Sequence, residues 1–175
     1  GVTLEAKISD ASVGGDGVSN FKVEATAGAG AKNVGIAGAF ALNLVNNSNE
    51  AVIRSGATIN AGAGDIELFA SSNEVDDLKA TANAKGGKVG VGAALGLSIL
   101  TNNSVRAEVE DSVTLSGGGK LTIEATSDRT VNTKVEAGTS GGIAVSPAVA
   151  IAIVTNDTKA RLGSGSGTLN LTGDV

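Results

Sequence analysis

The sequence contains no cysteine, histidine, methionine, tryptophan or tyrosine, and only three phenylalanines and one proline among its 175 residues. Without histidine and cysteine, the chain lacks the usual general base, the soft metal ligands and the most nucleophilic side chain. The absence of cysteine also excludes disulfide bonds, although it indicates no particular compartment. These absences argue against an enzyme, and we predict no catalytic residue, no cofactor and no metal site.

Charge is also sparse. The net charge is −5, and the 13 basic residues are scattered singly rather than gathered in the stripe that neutralises nucleic-acid phosphates. The longest charge-free apolar stretch, residues 141–154, is shorter than the roughly 20 residues that a membrane-spanning helix needs. We therefore expect neither a nucleic-acid partner nor a membrane-spanning helix. No signal-peptide pattern opens the sequence, so a secreted protein would have to contain this chain as one piece.

Glycine is abundant, at 26 residues, and much of it lies in a long-range repeat. Three similar segments, VGIAGAFALNLVNN, VGVGAALGLSILTNN and IAVSPAVAIAIVTND, begin at Val34, Val89 and Ile143, which are 55 and 54 residues apart. The flanks repeat as well, because DIELFA at 65–70 resembles KLTIEA at 120–125 and TLNLTG at 168–173. We predict one domain over residues 1–175, with copies at roughly 21–77, 78–131 and 132–175 and the tail of a preceding copy at 1–20. A loop insertion is expected near residue 15.

Within each copy, large and small residues alternate. The large set contains Leu42, Leu97 and Ile151, and glycine or alanine occupies most of the positions between the large residues. A period of two over about ten residues is typical of a β-strand, whereas the large residues do not recur at helical spacing. We predict that the large residues fill a core and leave a nearly bare small face, which lets sheets approach closely or serves as an association surface. Proline cannot donate to a sheet ladder, so Pro147 predicts a bulge, a corner or an unpaired edge.

The fold class that follows is all-β, a right-handed parallel β-helix (β-solenoid) with repeats of about 55 residues, in which equivalent positions stack. The number of coils per repeat and the direction of neighbouring strands stay open. Two coils per repeat are favoured over one wide coil, and a hairpin around residues 46–49 would make the sheet partly antiparallel.

Asparagine ends the long strand of every copy. These positions are Asn46, Asn47, Asn102, Asn103 and Asn156, the last followed by Asp157. Asparagine favours turns and the left-handed conformation, and amides stacked between coils form hydrogen-bond ladders. The alternative is glycosylation, because Asn46, Asn102, Asn156 and Asn170 each begin an acceptor triplet.

Two acidic groups need an explanation: EVDD, with Glu74, Asp76 and Asp77, and EVED, with Glu108, Glu110 and Asp111. Neither group, nor the glycine-rich fragment at 13–18, has the spaced oxygen ligands of a calcium loop. Paired carboxylates also serve glycosidases, but these acids differ in position between copies and lack companions that bind sugar. We interpret both groups as a solvated charged rim.

The iterated pattern VGVGAALGLSILTNNSVRAEV followed by GGGKLTIEATS resembles the repeat regions of large bacterial filamentous surface adhesins and autotransporter-type β-solenoid proteins. The resemblance covers nearly the whole chain and is compositional and periodic. It implies a structural stalk or spacer, secreted or at the bacterial cell surface, that supports adhesion or biofilm cohesion.

The expected partners are flanking repeats of the same parent chain and, further, neighbouring filaments or host and matrix glycans. The alternative is a module that binds glycan or ice on one face of the solenoid. A polysaccharide-active enzyme is the third hypothesis.

Overall fold

The structure, a computed structural model, describes residues 1–7, 17–165 and 167–173. These residues form β-strands and no helix, which confirms the all-β prediction. The loop insertion predicted near residue 15 lies mostly outside the described residues. The strands are β1 (Val2–Lys7), β2 (Ser19–Ala31), β3 (Val34–Val45), β4 (Ser48–Ile53), β5 (Thr58–Asn60), β6 (Ile66–Gly86), β7 (Val89–Val109), β8 (Thr114–Ser116), β9 (Leu121–Ser140), β10 (Ile143–Val145), β11 (Ala148–Leu162) and β12 (Leu169–Asn170).

The described strands form three parallel sheets. In sheet A, β1, β2 and β9 pair with β6. In sheet B, β3, β4, β10 and β11 pair with β7, and sheet C consists of β5, β8 and β12. The hairpin considered around residues 46–49 does not form, because β3 and β4 both run parallel to β7 and the chain continues in one direction between them.

Equivalent positions of the repeat are hydrogen-bonded neighbours. Leu97 pairs with Leu42 on one side and with Ile151 on the other, so the chain forms three stacked layers, β1–β5, β6–β8 and β9–β12. One repeat therefore makes one wide layer, and the preference for two coils per repeat is wrong. The physical reason is strand length, because β6 and β7 span 21 residues each and leave few residues for corners.

The direction of the side chains in sheet B reverses one prediction. In β3, the small residues Ala37, Ala39 and Ala41 are buried, whereas Phe40 and Leu42 face solvent. The cause is the narrow gap between sheets A and B. A Cβ atom added to Gly90 would lie 2.6 Å from a carbonyl oxygen of β9, so this part of the interior has no room for large side chains. The prediction that the small face permits close approach is confirmed.

The core has two parts with different side chains. Between sheets A and B, the alanine cluster contains Leu78, Ala80, Ala82, Ala84 and Ala94 together with the buried alanines of β3. Where sheet C adds a third wall, the interior is wider, and a second cluster fills it with large aliphatic residues. This aliphatic cluster includes Ile66, Leu68, Val105, Val109, Leu115 and Leu121.

Pro147 lies between β10 and β11, where the pairing with β7 is interrupted. Its carbonyl oxygen still accepts a hydrogen bond of 3.0 Å from the backbone N–H of Ala94. The interruption expected of this proline is thus found in its pairing with β7, because the side of Pro147 that faces β7 has a carbonyl oxygen but no N–H to donate.

Candidate functional site

The most prominent surface feature is an apolar patch on the outside of sheet B, which we call the apolar face. It consists of the large outward residues of three stacked strands, aligned in five columns. Its members are Val34, Ile36, Phe40, Leu42, Leu44, Val89, Val91, Leu95, Leu97, Ile99, Ile143, Val145, Val149, Ile151 and Ile153.

Eleven of these side chains are exposed, and the other four, Val89, Val91, Leu97 and Ile99, are half-buried in the middle layer. Ile36 is 68% exposed and Leu44 is 67% exposed, and even Leu95, flanked by a layer on both sides, is 39% exposed. A single exposed leucine needs no explanation, but soluble monomers rarely expose a contiguous apolar area of more than a few hundred Å². The apolar face is therefore a candidate interaction surface.

The outer face of sheet A is mostly polar, with Phe69 and Val75 of β6 as its large apolar residues. There Lys22, Asp77 and Asn132 occupy one column, and the side chain of Asn132 donates a hydrogen bond of 2.8 Å to Asp77. A salt bridge of 3.8 Å joins Lys79 to Glu24 across layers. Of the two broad sheet faces that the described residues form, that of sheet B is therefore the more apolar.

Beyond the apolar face, the outside of sheet B becomes charged. Arg54 binds Glu110 at 2.8 Å, and Arg106 binds Glu108 at 2.9 Å and Glu110 at 3.0 Å. Arg161 of the third layer also contacts Glu108, so ion pairs connect all three layers. The prediction of a solvated rim therefore holds for Glu110 and Asp111 of the EVED group, whereas Glu108 is buried and forms salt bridges with Arg106 and Arg161.

Hydrogen bonding strengthens this rim at Glu110. The backbone N–H of Ser55 donates to the Glu110 carboxylate at 2.9 Å, and the guanidinium of Arg54 lies beside it. Both interactions favour the ionised form, so the pKa of Glu110 lies below its usual value. Asp111, the last acid of the group, is exposed and pairs with Arg161 at 3.2 Å.

The prediction of a solvated rim is wrong for two acids of the EVDD group. Glu74 and Asp76 point inward from β6 and are fully buried, whereas Asp77 points to the outside. Successive strand residues face opposite sides of a sheet, so Asp76 and Asp77 cannot act together on one substrate as a glycosidase pair. The alternation with the buried Leu78 was the signal in the sequence that could have revealed this.

The buried acids belong to a group of buried polar side chains that lies between the two apolar clusters. Arg129, stacked on Glu74 in the third layer, forms a salt bridge with it, and Asn47 and Ser72 donate hydrogen bonds to Glu74. Burial of this kind requires a partner for each charge. The ion pair therefore joins the middle layer to the third layer inside the molecule.

Asp76 is less completely paired. One carboxylate oxygen accepts a hydrogen bond of 3.1 Å from Asn43, and the other oxygen is buried without a protein partner. Burial raises the pKa of Asp76, and this effect outweighs the lowering by the Asn43 hydrogen bond and by the positive charge of Arg129. The same group of buried polar side chains includes Ser98, whose hydroxyl accepts a hydrogen bond of 3.0 Å from the hydroxyl of Thr133.

The asparagine predictions hold in part. Asn103 and Asn156 are paired in register, and the side chain of Asn103 donates to the backbone oxygen of Thr155 in the next layer at 3.0 Å. Asn102 adopts the left-handed conformation, with φ at 55°, where the register between β7 and β11 shifts. Asn46 lies on a continuous path between two parallel strands rather than in a reversing turn.

The four glycosylation candidates, Asn46, Asn102, Asn156 and Asn170, are all exposed. Asn156 exchanges hydrogen bonds with Ser127 across the sheets, and Asp157 pairs with Lys159 at 3.0 Å. Exposure is a requirement for modification and not evidence of it, so glycosylation at these positions remains a prediction. Residues 13–16 of the glycine-rich fragment lie outside the described residues.

Other surface features offer little chemistry. A hollow beside sheet C, between the second and third layers, is lined by Val113, Leu115 and Leu162 and by glycine-rich backbone. In the parts of the chain that the structure describes, no group of three acidic residues is positioned to hold a metal ion. Over the same residues, no helix is long and apolar enough to cross a membrane.

Comparison of the chain with protein-family models, with curated proteins and with solved structures found no match.

Proposed function

We propose that the chain is a segment of a right-handed parallel β-helix and serves as a structural stalk of a secreted or cell-surface bacterial adhesin. The observation that carries the proposal is the register, in which residues about 55 positions apart pair in parallel over the whole width of sheets A and B. Such a fold extends by adding identical layers, and stability comes from contacts between neighbouring layers. A passive load-bearing role needs no catalytic group.

The width of each layer favours a stack that resists bending. A 21-residue strand is about 70 Å long at roughly 3.3 Å per residue, whereas each layer adds only about 4.8 Å to the height. A wide cross-section resists bending more than a narrow one, at the cost of more residues per unit length. Ion pairs between layers, such as that of Glu74 with Arg129, oppose sliding of one layer over the next.

The alternative, a module that binds glycan or ice, would use the flat polar outer face of sheet A. Ice-binding faces need regular hydroxyl columns, but here charged residues interrupt them. Glu67 lies between Thr3 and Thr122, and Glu136 ends the column of Thr26 and Thr81. The stalk is therefore the better-supported function.

The stalk can be tested by inserting further copies of residues 66–120 after residue 120 and measuring the particle by small-angle scattering or electron microscopy. We expect the height to grow by about 4.8 Å for each copy while the width stays constant. A matched series carries Ala80→Gln and Ala82→Gln in each inserted copy, which should prevent ordered growth. Growth along any other dimension would contradict the β-helix.

The adhesin role needs a separate measurement. Cells that produce the parent protein should lose biofilm cohesion when these layers are deleted and regain it when they are replaced by the same number of inserted copies. Specific binding of the 175-residue chain in a glycan array or an ice-affinity assay would instead favour the alternative.

A further inference from the structure

The outer faces of sheets A and B are both left without a partner by the described residues, and the apolar face lies on that of sheet B. None of its outward positions is charged, and the stacked columns run straight across all three layers. The inward side of the same strands is already packed against sheet A through alanine. Burial of these outward side chains therefore requires a second molecule.

We propose that the apolar face is a self-association surface, on which a second copy of this chain packs face to face. The occupant is argued first from area. A patch of 12 residues by three layers covers about 40 Å by 14 Å, so two such faces bury roughly 1,100 Å² in total. That area reaches the approximately 1,000 Å² that a specific interface needs. Each further layer in a longer chain would enlarge it.

Shape is the second argument for a copy. The columns of the face lie two residues apart along the strand except at Gly38, Ala93 and Pro147, where small residues and the proline leave a wider groove, and an identical face has ridges of the same spacing. Two sheets can then interdigitate about 10 Å apart, as the sheets of a β-sandwich do. A bilayer has no matching ridges, and proteins that dip into one usually carry tryptophan and tyrosine at the interface, both of which are absent here.

Charge around the face sets the orientation. Lys32 and Lys88 are exposed at the corner where the face begins, and Asn46 and Asn102 are exposed where it ends. A two-fold axis along the stacking direction places the beginning of one face over the end of the other. The lysines then approach uncharged amides instead of each other, and both stacks point the same way.

The pairing is closed. The outer face of sheet A is charged and offers no equivalent patch, so a self-complementary contact through the apolar face ends at a dimer. Association of the third-layer edge, formed by β9 and β11, with the first-layer edge of another copy, formed by β2 and β3, would use strand hydrogen bonds and could continue into fibres. Variants of the apolar face separate these two routes, because its side chains do not contribute to edge pairing.

The test compares the unmodified chain with Leu42→Lys/Leu97→Lys on the apolar face and with Thr26→Lys/Thr130→Lys on the outer face of sheet A. Molar mass is measured by sedimentation over a concentration series, with circular dichroism to verify the fold. We expect the unmodified chain and the sheet A variant to dimerise. The apolar-face variant should require at least tenfold higher concentration.

A second measurement does not depend on charged variants folding. Because the chain has no cysteine, Leu95→Cys introduces a single thiol close to the proposed two-fold axis. Oxidation should link two chains through this residue, whereas Thr126→Cys on sheet A should remain unlinked under the same conditions. Equal linking of the two variants would overturn the proposal.

The proposal would also be overturned by a chain that stays monomeric in solution but binds vesicles of phosphatidylcholine, with or without phosphatidylglycerol, through residues of the apolar face. Unchanged association of the Leu42→Lys/Leu97→Lys variant would assign the contact to the strand edges. The stalk could survive either result, because its own test measures growth by layers.

Discussion

The two halves of strand β7 solve opposite packing problems with the same backbone. In the first half, Gly96 and Ser98 point inward and Leu97 points to solvent, whereas in the second half Val105 and Val109 point inward and Arg106 points outward. The difference follows from the opposing wall. Sheet A lies close to the first half, while sheet C opens the interior beside the second half. The width of the gap, and not the hydrophobicity of a side chain, decides which side chains are inside.

The boundary between the halves gives the test with the largest expected effect. Arg129→Met leaves Glu74 as a buried charge without its guanidinium, and loss of one partner of a buried pair costs about 3–5 kcal/mol. Chemical denaturation should show this loss in the free energy of unfolding. The double variant Glu74→Leu/Arg129→Met should recover much of it, and a double variant no more stable than Arg129→Met would contradict the paired arrangement.

Truncation of leucine sharpens the comparison directly. Leu68→Ala in the aliphatic cluster should cost about 2–5 kcal/mol, because it leaves a cavity in a buried site. Leu42→Ala on the apolar face deletes the same atoms at a solvent-exposed position. In the monomer it should cost less than about 1 kcal/mol. Both values come from urea unfolding at low protein concentration. Similar losses at the two positions would mean that the apolar face is buried within the chain.

Enlargement of alanine tests the narrow half. Ala82→Leu should destabilise the fold by about 1–3 kcal/mol, because Ala82 is fully buried and the neighbouring sheet cannot move away without loss of contacts along the layer. The matched control is Ala93→Leu, which enlarges an exposed alanine on the outer face of sheet B. Its effect on the free energy of unfolding should be close to zero. Thermal unfolding of the two variants is sufficient. Tolerance of Ala82→Leu would show that the gap can widen.

The smallest expected effect concerns pH. Because burial raises the pKa of Asp76 in the folded chain, protonation of this group favours folding. Its contribution is fully present below the unfolded pKa of about 4 and is lost as pH rises through the higher folded value. The difference in unfolding free energy between the unmodified chain and Asp76→Asn should therefore change in that window. The titration of groups present in both proteins, such as Glu110, contributes equally to the two values and cancels in the difference. A constant difference would contradict the raised pKa.

Sequence periodicity was sufficient for the strands, the 55-residue spacing and the stacking of Leu42, Leu97 and Ile151, because each of these is a local or repeated property. The direction of the side chains was not predictable from one strand. Asn43 and Ser98 share the parity of the small residues, and polar side chains are typical of a solvent-facing side, but these two face buried polar partners on the opposite sheet.

The candidate surface was therefore predicted on the wrong side of sheet B. A comparison of two segments could have corrected this, because the run of alternate small residues at 80–84 matches the alanines at 37–41 across the gap. Likewise, Glu74 and Asp76 lie on the same side of β6 as Leu78, and this alternation predicts that they are buried. In a single strand, however, the charge of the two residues favours the opposite prediction, that they face solvent.

By itself, the sequence determined an all-β chain with repeated strands, an interruption at Pro147 and no catalytic histidine or cysteine. These properties follow from residue types and their spacing along one chain. Only the tertiary structure decided the width of a layer, the inward direction of the alanines, the buried pairing of Glu74 with Arg129 and the exposure of the apolar face. Each of these depends on the distance between sheets, which is set by residues far apart in sequence.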